Sequence, residues 1–458
     1  MSDLIVPLVD HVVGRSASDI PEHVSAITKS FLFDTIGLMV AGTKAPGYDL
    51  VVEQFTDWGG KPEATVLGRL TGLPAPSAAL VNALAAHAFD FDDTHERGDM
   101  HVFALVVSAA LAAAERRGGV NGRELLTAVT IGADLGYRLA LGITRYRGWH
   151  PTATCGVFAA AAAAGRIMGL NKTQMHNAMG IAYSLSAGNF QGLIDGSLTK
   201  RLQPGFAARA GMEAAVLASR GITGAKHVLQ GCYGFYPLYE AGEYNPDIII
   251  DRLGSWYEVE AASLKPYPSC RFCHGTIDAI LDMCEVDGLR VEDVDSIVVK
   301  MPHEADDYVG GPYAPGDSPQ VSAQFSTAYN VAVALSRGRV GLAEFDTDTV
   351  VDPDLRALSG RVKTVRLDDD YCFGPQEIIV ALRDGSTLSR TVEFMKGHPN
   401  NPMSREEQLA KVSECLSLGG AQADAVERLA QWTDGIEDDE TPLAGLFQLM
   451  SHESRDVA

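Results

Sequence analysis

A series of alanine-rich segments without a continuous polar face constrains this fold more than any other feature. The apolar pattern predicts helices at about residues 23–40, 76–94, 102–117, 122–142, 152–168, 173–188 and 205–220. A helix that is apolar all round must be buried, and its Ala and Gly residues allow neighbouring helices to approach closely. The longest apolar run, about 102–114, is shorter than the ~20 residues that a membrane-spanning helix needs. The sequence therefore predicts a large, tightly packed helical domain.

The pattern changes near Lys265, where two prolines interrupt any regular helix. β-branched residues alternate at 296–301 and again at 362–367. Two further strand-like runs flank the Asp384-Gly385 pair, which is typical of a hairpin turn. A smaller α+β domain is therefore predicted after the helical one.

The helical pattern returns at Ser404 and continues towards the end of the chain. The predicted fold class is thus mainly α, with a large all-helical domain and a smaller inserted α+β lid domain. The predicted boundaries are residues 1–263 and 400–458 for the helical domain and residues 264–399 for the lid domain.

The charge balance excludes two classes of partner. Acidic residues outnumber basic ones by 59 to 37, which gives a formal net charge of −22. Nucleic acids and anionic membranes both require a basic surface, so neither is expected as a partner. The N-terminal segment contains Asp3 and Asp10 and has no basic n-region, which argues against a signal peptide. The lack of an export signal and the odd number of cysteines, seven, together predict reduced thiols and a cytoplasmic protein.

Polar residues interrupt the helix predicted at 76–94. If the helix continues, His87, Asp90, Asp93 and Thr94 share one of its faces, and buried polar groups must be paired or face a cavity. Acid/base chemistry is the favoured interpretation. A frayed helix end with aspartate caps is the alternative, and it suits Asp92 and Asp93 well. A metal site ranks lower because no comparable pair of metal ligands accompanies these residues, so no metal is expected.

Two other segments place cationic or titratable side chains at predicted helix starts. His150 precedes Pro151, so its backbone should be extended and it should lie at a helix N-terminus, where an anion is favoured. Lys200 and Arg201 precede Pro204 in the same way and form a basic pair in an acidic chain. Solvated loops are the alternative for both segments.

The segment from Lys265 to His274 contains a Cys-x-x-Cys-His pattern formed by Cys270, Cys273 and His274. Attachment of a c-type haem requires export, zinc requires a second ligand pair, and a thioredoxin motif requires a βαβ setting. None of these conditions is met, so the thiols are interpreted as structural. Lys265, Arg271 and His274 remain candidate carboxylate binders. No nucleotide-binding or serine-elbow motif occurs, and no cofactor is expected.

Together these segments resemble the MmgE/PrpD family, which includes 2-methylcitrate dehydratase, cis-aconitate decarboxylase and iminodisuccinate epimerase. The resemblance runs nearly end to end. It is carried by DTIGLMVAG at 34–42, HAFDFDDTH at 87–95, GWHPTATCGVFAAAAAAGRIMGL at 148–170, KRLQPGFAARAGMEAAVLASRGITG at 200–224 and LKPYPSCRFCHGTIDAI at 264–280. It implies the two-domain fold described above, a homodimer, and activity without a metal or organic cofactor.

The resemblance also implies an active cleft. Its residues in this chain are Asp90, Thr94, His101, His150, Lys200 and Lys265. Arg201, His274 and a lid tyrosine, Tyr308 or Tyr313, are further candidates for binding substrate, and Tyr308 is preferred. The family has His-Pro shortly after the paired aspartates, whereas His101 is followed by Val102 here.

The function implied is that of a cofactor-independent lyase acting on a small di- or tricarboxylate through a carbanion next to a carboxylate. His150, Asp90, His101, Lys200 and Lys265 are the expected catalytic residues. The first expectation is a hydro-lyase similar to 2-methylcitrate dehydratase. The alternative is a decarboxylase or an epimerase on the same scaffold. A non-catalytic helical binding protein ranks below both, because the His and Lys residues are all present.

Overall fold

The computed structural model describes residues 3–69, 71–368 and 371–450, and these residues form two compact units. The described part of the first unit lies within 3–88, 92–262 and 405–450, and that of the second within 89–91 and 263–404. Residues 451–458, which the sequence assigns to the helical domain, lie outside the described residues.

The first unit is built from helices and one short hairpin. The helices up to residue 250 are α1 (Ile5–Gly14), α2 (Glu22–Ala41), α3 (Tyr48–Trp58), α4 (Ala75–His87), α5 (Phe103–Arg117), α6 (Gly122–Leu141), α7 (Pro151–Thr154), α8 (Gly156–Ile167), α9 (Lys172–Ser184), α10 (Gln191–Ile194), α11 (Thr199–Ser219), α12 (Phe235–Tyr239) and α13 (Pro246–Ile250). Strands β1 (Ala64–Val66) and β2 (Thr71–Leu73) pair antiparallel.

The core of this unit is the group α4, α5, α8 and α11, whose members pack against one another. Their small residues set the spacing. A Cβ at Gly205 would lie 2.7 Å from the Leu80 carbonyl oxygen of α4, and one at Gly211 would lie 2.6 Å from the Ala161 nitrogen of α8. Both distances are too short for any side chain, so α11 contacts two helices backbone to backbone.

In its described residues, the second unit combines six α-helices with one four-stranded sheet. Its helices are α14 (His274–Val286), α15 (His303–Val309), α16 (Pro319–Gln324), α17 (Thr327–Arg337), α18 (Thr347–Val350) and α19 (Pro353–Ser359), and its strands are β3 (Val294–Pro302), β4 (Val362–Leu367), β5 (Gln376–Leu382) and β6 (Thr387–Val392). The sheet order is β4-β3-β5-β6, in which only the β3–β4 pair is parallel. Gly385, with φ of 89°, turns the chain between β5 and β6 as the Asp-Gly pair predicts.

The chain then returns to the first unit as α20 (Arg405–Gly419), α21 (Ala425–Asp434) and α22 (Pro442–Met450). Within the described residues, one helical stretch, Glu22–Lys44, is long and apolar enough to cross a membrane by length and composition alone. Its apolar window is 78% buried, and α2 packs against α4 and α20. Helix packing therefore accounts for its composition.

The mainly α fold class is confirmed, and three of the differences from the prediction affect the candidate site. Helix α4 ends at His87 rather than near residue 94, so His87, Asp90, Asp93 and Thr94 do not share a helical face. The helix predicted at 152–168 divides at Cys155. Helix α11 begins at Thr199 and contains Pro204, which has no N–H and so cannot donate the helical hydrogen bond four residues back. Lys200 and Arg201 therefore lie within the first turn of α11, not before it.

Candidate active site

His150 lies at the start of α7, as the sequence predicts. Its backbone is extended, with φ of −94° and ψ of 101°, and Pro151 occupies the first helical position. The side chain is buried, and Nδ1 lies 3.0 Å from the Gln203 Oε1 on α11. Because an amide oxygen only accepts, Nδ1 carries a proton, and Nε2 is the basic nitrogen.

Gln203 is itself held in one orientation. Its Nε2 donates to the Asn189 carbonyl at 2.8 Å, and its Oε1 accepts from the Asn189 N–H at 3.1 Å. The Phe190 ring packs on the imidazole of His150 with ring centroids 4.8 Å apart. The ring of His150 is thus fixed in both tautomer and plane.

Burial is the main cause of a pKa of His150 well below its ordinary value. The positive charge of Lys200 lowers this pKa further, as do His87 and His101. His150 is therefore neutral at physiological pH. A carboxylate bound beside it opposes both causes and favours the imidazolium.

Three histidine rings lie together in the first unit, and we call His87, His101 and His150 the histidine cluster. The ring of His87 is 5.2 Å from that of His101 and 6.3 Å from that of His150, between centroids. His101 donates from Nδ1 to the Asp93 carbonyl at 2.5 Å, and Thr94 Oγ1 lies 3.1 Å from the same nitrogen. The cluster thus includes two of the predicted catalytic residues and contacts the predicted binding residue Thr94.

Asp93 holds the segment that carries His101. Its carboxylate accepts from the N–H groups of Val102 and Phe103, each at 2.9 Å, and from the Tyr137 hydroxyl at 2.7 Å. It therefore caps the N-terminus of α5, the alternative that the sequence left open for this residue.

Burial and the negative charge of Asp92 raise the pKa of Asp93 to about 7, despite these hydrogen bonds. Asp93 is consequently a buried structural acid whose charge depends on pH near neutrality.

In the second unit, Asp90 and Lys265 form a buried pair. Lys265 Nζ donates to both the carboxylate and the carbonyl of Asp90, each at 2.9 Å. Asp90 is left-handed, with φ of 53°, a conformation that Asp tolerates better than most residues but that still costs about 1–2 kcal/mol. Gln324 donates to the Phe89 carbonyl at 2.6 Å. Residues 89–91 are thus held in the second unit by two long side chains.

His274 uses both ring nitrogens inside the second unit. Nε2 donates to the Ser269 carbonyl at 3.2 Å, and Arg271 donates to Nδ1 at 3.1 Å. Burial, the charge of Arg271 and that of Lys265 hold the pKa of His274 well below its ordinary value. Arg271 also donates to the Lys396 carbonyl at 2.7 Å. Neutral His274 is therefore part of a packed network, and its role in binding substrate stays a prediction.

The two lid tyrosines have different surroundings. Tyr313 is buried, donates to the Val350 carbonyl at 2.5 Å and packs on Tyr329, so it belongs to the core of the second unit. Tyr308 on α15 is half-buried and stacks on Phe272. The preference for Tyr308 as a substrate-binding residue stays a prediction.

The structure thus places the predicted site residues in two groups. The first unit contains Thr94, His101, His150, half-buried Lys200 and buried Arg201, and the second contains Asp90, Lys265, His274 and Tyr308. Convergence of the cationic groups of the two units stays a prediction. In the described ranges, no three His, Cys, Asp or Glu side chains are grouped as metal ligands.

The sequence did not identify Gln203, because its contact with His150 spans 53 residues and its own sequence context is unremarkable. The pairing of His87 with Asp92 was missed as well, since it depends on the loop that follows α4. The helix was predicted to begin after Pro204, so Gln203 lay outside it and carried no local signal.

Replacing Gln203 with Leu tests its effect on His150. We expect kcat/KM to fall about tenfold, the scale of one lost hydrogen bond. The Gln203 hydrogen bond raises the pKa of His150, so the limb of the pH profile that reports His150 should move to lower pH. Gln191→Leu is the matched control, because Gln191 is exposed on α10. An unchanged pH profile in Gln203→Leu would contradict this role.

The chain is similar to known proteins over most of its length. A family model described as the MmgE/PrpD N-terminal domain matches residues 7–246, and one described as the MmgE/PrpD C-terminal domain matches residues 267–434. The chain is 27% identical to a cis-aconitate decarboxylase of Aspergillus terreus over 423 residues, 86% of each chain. It is 28% identical to the human cis-aconitate decarboxylase over 450 residues, 93% of this chain and 90% of the relative. It is also 28% identical to the cis-aconitate decarboxylase-like protein oryM of Aspergillus oryzae over 452 residues, 92% of each.

Proposed function

The chain belongs to the MmgE/PrpD family and is a lyase, and from that premise we propose that it decarboxylates a small unsaturated tricarboxylate of the cis-aconitate type. The observation that carries the proposal is the similarity to cis-aconitate decarboxylases over most of both chains. Decarboxylation, which the sequence left as an alternative, therefore ranks ahead of the dehydratase reading.

The charges of the site suit a polycarboxylate. In a chain with a net charge of −22, a substrate with several carboxylates needs local cations. We assign Lys200 and Arg201, in the first turn of α11, to the substrate carboxylates. We assign Lys265 to the same task, with Asp90 orienting its ammonium through two hydrogen bonds.

The reaction then needs little more than charge stabilisation and one proton. When the bond between carbon and a carboxylate breaks, carbon dioxide leaves and an electron pair remains on carbon next to the double bond. A remaining carboxylate delocalises that pair, and the lysines stabilise the charge. A proton is then added to carbon. His150 and His101, both with Nδ1 engaged and Nε2 as the basic nitrogen, are the proposed proton carriers.

We also propose that the enzyme is a cytoplasmic homodimer that works without a metal or organic cofactor. Similarity to the MmgE/PrpD family supports the dimer. The same similarity is the basis for the metal-free mechanism.

The experiment offers the purified enzyme cis-aconitate, citrate and 2-methylcitrate separately and follows carbon dioxide and water loss by mass spectrometry. We expect carbon dioxide from cis-aconitate only, at a rate that EDTA does not change. His150→Gln protein is the matched control for trace contaminating activity. Water loss from citrate or 2-methylcitrate without carbon dioxide would restore the dehydratase reading, and loss of activity on chelation would refute the metal-free mechanism.

A further inference from the structure

We propose that Asp92 and His87 form a dyad that holds a proton for the histidine cluster, with His87 as a positioning residue for the reaction proposed above. His87 Nδ1 lies 2.7 Å from Asp92 Oδ2, and both side chains are fully buried. Because the carboxylate accepts, Nδ1 of His87 carries the proton. Nε2 can therefore gain or lose a proton without breaking the bond to Asp92.

The position of His87 supports this role. It is the last residue of α4, and α4 packs directly on α11, which carries Lys200 and Gln203. Its ring lies within 6.3 Å, between centroids, of both His101 and His150. The buried imidazole of His87 is therefore near both proposed proton carriers, and we infer that it exchanges protons with them.

The charges around His87 come from several elements. Asp92 and Asp93 lie in the loop after α4, His101 lies before α5 and His150 before α7. Lys200 on α11 acts on His150, and Asp34 on α2, which is paired with Lys411 on α20, interacts with Asp92. Lys411 Nζ lies 2.7 Å from Asp34 Oδ1, so Asp34 has a cation of its own. Asp92 is bound to an imidazole instead, a side chain type that can both accept and donate a proton.

The same unit contains a His–Asp pair with a different environment, which helps to separate function from packing. His11 Nε2 lies 3.1 Å from Asp134 Oδ2, and both side chains are buried. Arg138 donates to that carboxylate at 2.9 Å, and the Glu258 N–H donates to its other oxygen at 2.8 Å. The ring of His11 faces Tyr257, not other histidines. That pair is structural, and it supplies a natural control.

The proton balance of the proposed role is simple. Each decarboxylation breaks one carbon–carbon bond, releases carbon dioxide and adds one proton to the substrate carbon. His101 or His150 delivers that proton, and His87 Nε2 replaces it. Solvent returns a proton to the cluster when product leaves. His87 itself need not touch the substrate.

The test compares His87→Gln and Asp92→Asn with His11→Gln, using kcat/KM from pH 5 to 9, about the range in which histidines titrate. We expect a fall of roughly 10²-fold in the first two variants, the scale for a positioned acid or base, together with loss of one limb of the pH profile. His11→Gln should keep the full profile even if it is less stable. A wild-type profile in folded His87→Gln or Asp92→Asn would overturn the proposal.

A second measurement does not depend on the substrate or on the variants folding. In wild-type protein labelled with ¹⁵N-histidine, the His87 ring should show Nδ1 protonated throughout and Nε2 titrating. A ring locked in one protonation state over the same pH range would overturn the dyad. If no acid yields carbon dioxide from the wild type, the proposed function fails, and this titration still decides the role of His87.

Discussion

His150→Gln should fold like the parent enzyme and turn over substrate roughly 10²-fold more slowly or worse, the usual scale for a positioned acid or base. Gln can still reach Gln203, so the buried polar contact can be kept while the titrating nitrogen is lost. The measurement is steady-state kcat and KM on the substrate that releases carbon dioxide, with thermal unfolding as the check on folding.

Lys200→Ala is the comparison variant for this result. A carboxylate clamp contributes to ground-state binding as well as to the transition state, so its loss should raise KM as well as lower kcat. If His150→Gln turns over at the wild-type rate, proton transfer by His150 is wrong, and His101 or Asp90 becomes the leading acid/base residue.

Lys265→Met should have the largest effect on stability. Lys265 is fully buried, and its removal leaves the Asp90 carboxylate buried without the cation that binds it. Breaking one partner of a buried ion pair costs about 3–5 kcal/mol, so we expect a loss of that order in the free energy of unfolding from chemical denaturation. Activity should be lost as well, since Lys265 is also a proposed carboxylate ligand.

The double variant Lys265→Met with Asp90→Asn separates the two effects. Asn keeps the left-handed conformation of residue 90 accessible and removes the buried negative charge, so part of the lost stability should return while activity does not. Lys265→Met with wild-type stability would show that the Asp90–Lys265 pair is not what holds residues 89–91.

The long helices could be predicted from the sequence because each carries its apolar pattern over several turns. Helices α2, α5 and α6 lie within about two residues of their predicted bounds. The strands of the second unit were equally clear, since β-branched alternation and an Asp-Gly turn are local signals. Short β1 and β2 had no comparable signal.

The errors lie where tertiary contacts outweigh local propensity. Nothing in HAFDFDDT marks His87 as the end of α4, because the turn depends on a left-handed Asp90 that Lys265 binds from 175 residues away. Pro204 likewise predicts the start of a helix, yet α11 begins five residues earlier and contains this proline. His150 was placed correctly because a proline after it restricts its backbone locally.

The backbone contact of α11 with α4 at Gly205 has a consequence for how such an enzyme can diversify. The separation of these two helices is set by main-chain atoms and not by the fit of large side chains. An added methyl group at residue 205 would meet the Leu80 carbonyl oxygen at 2.7 Å, so it would push α11, which carries Lys200 and Gln203, away from α4, which ends at His87. In a fold of this kind, loops and substrate specificity can change while the helices that carry these residues keep their arrangement.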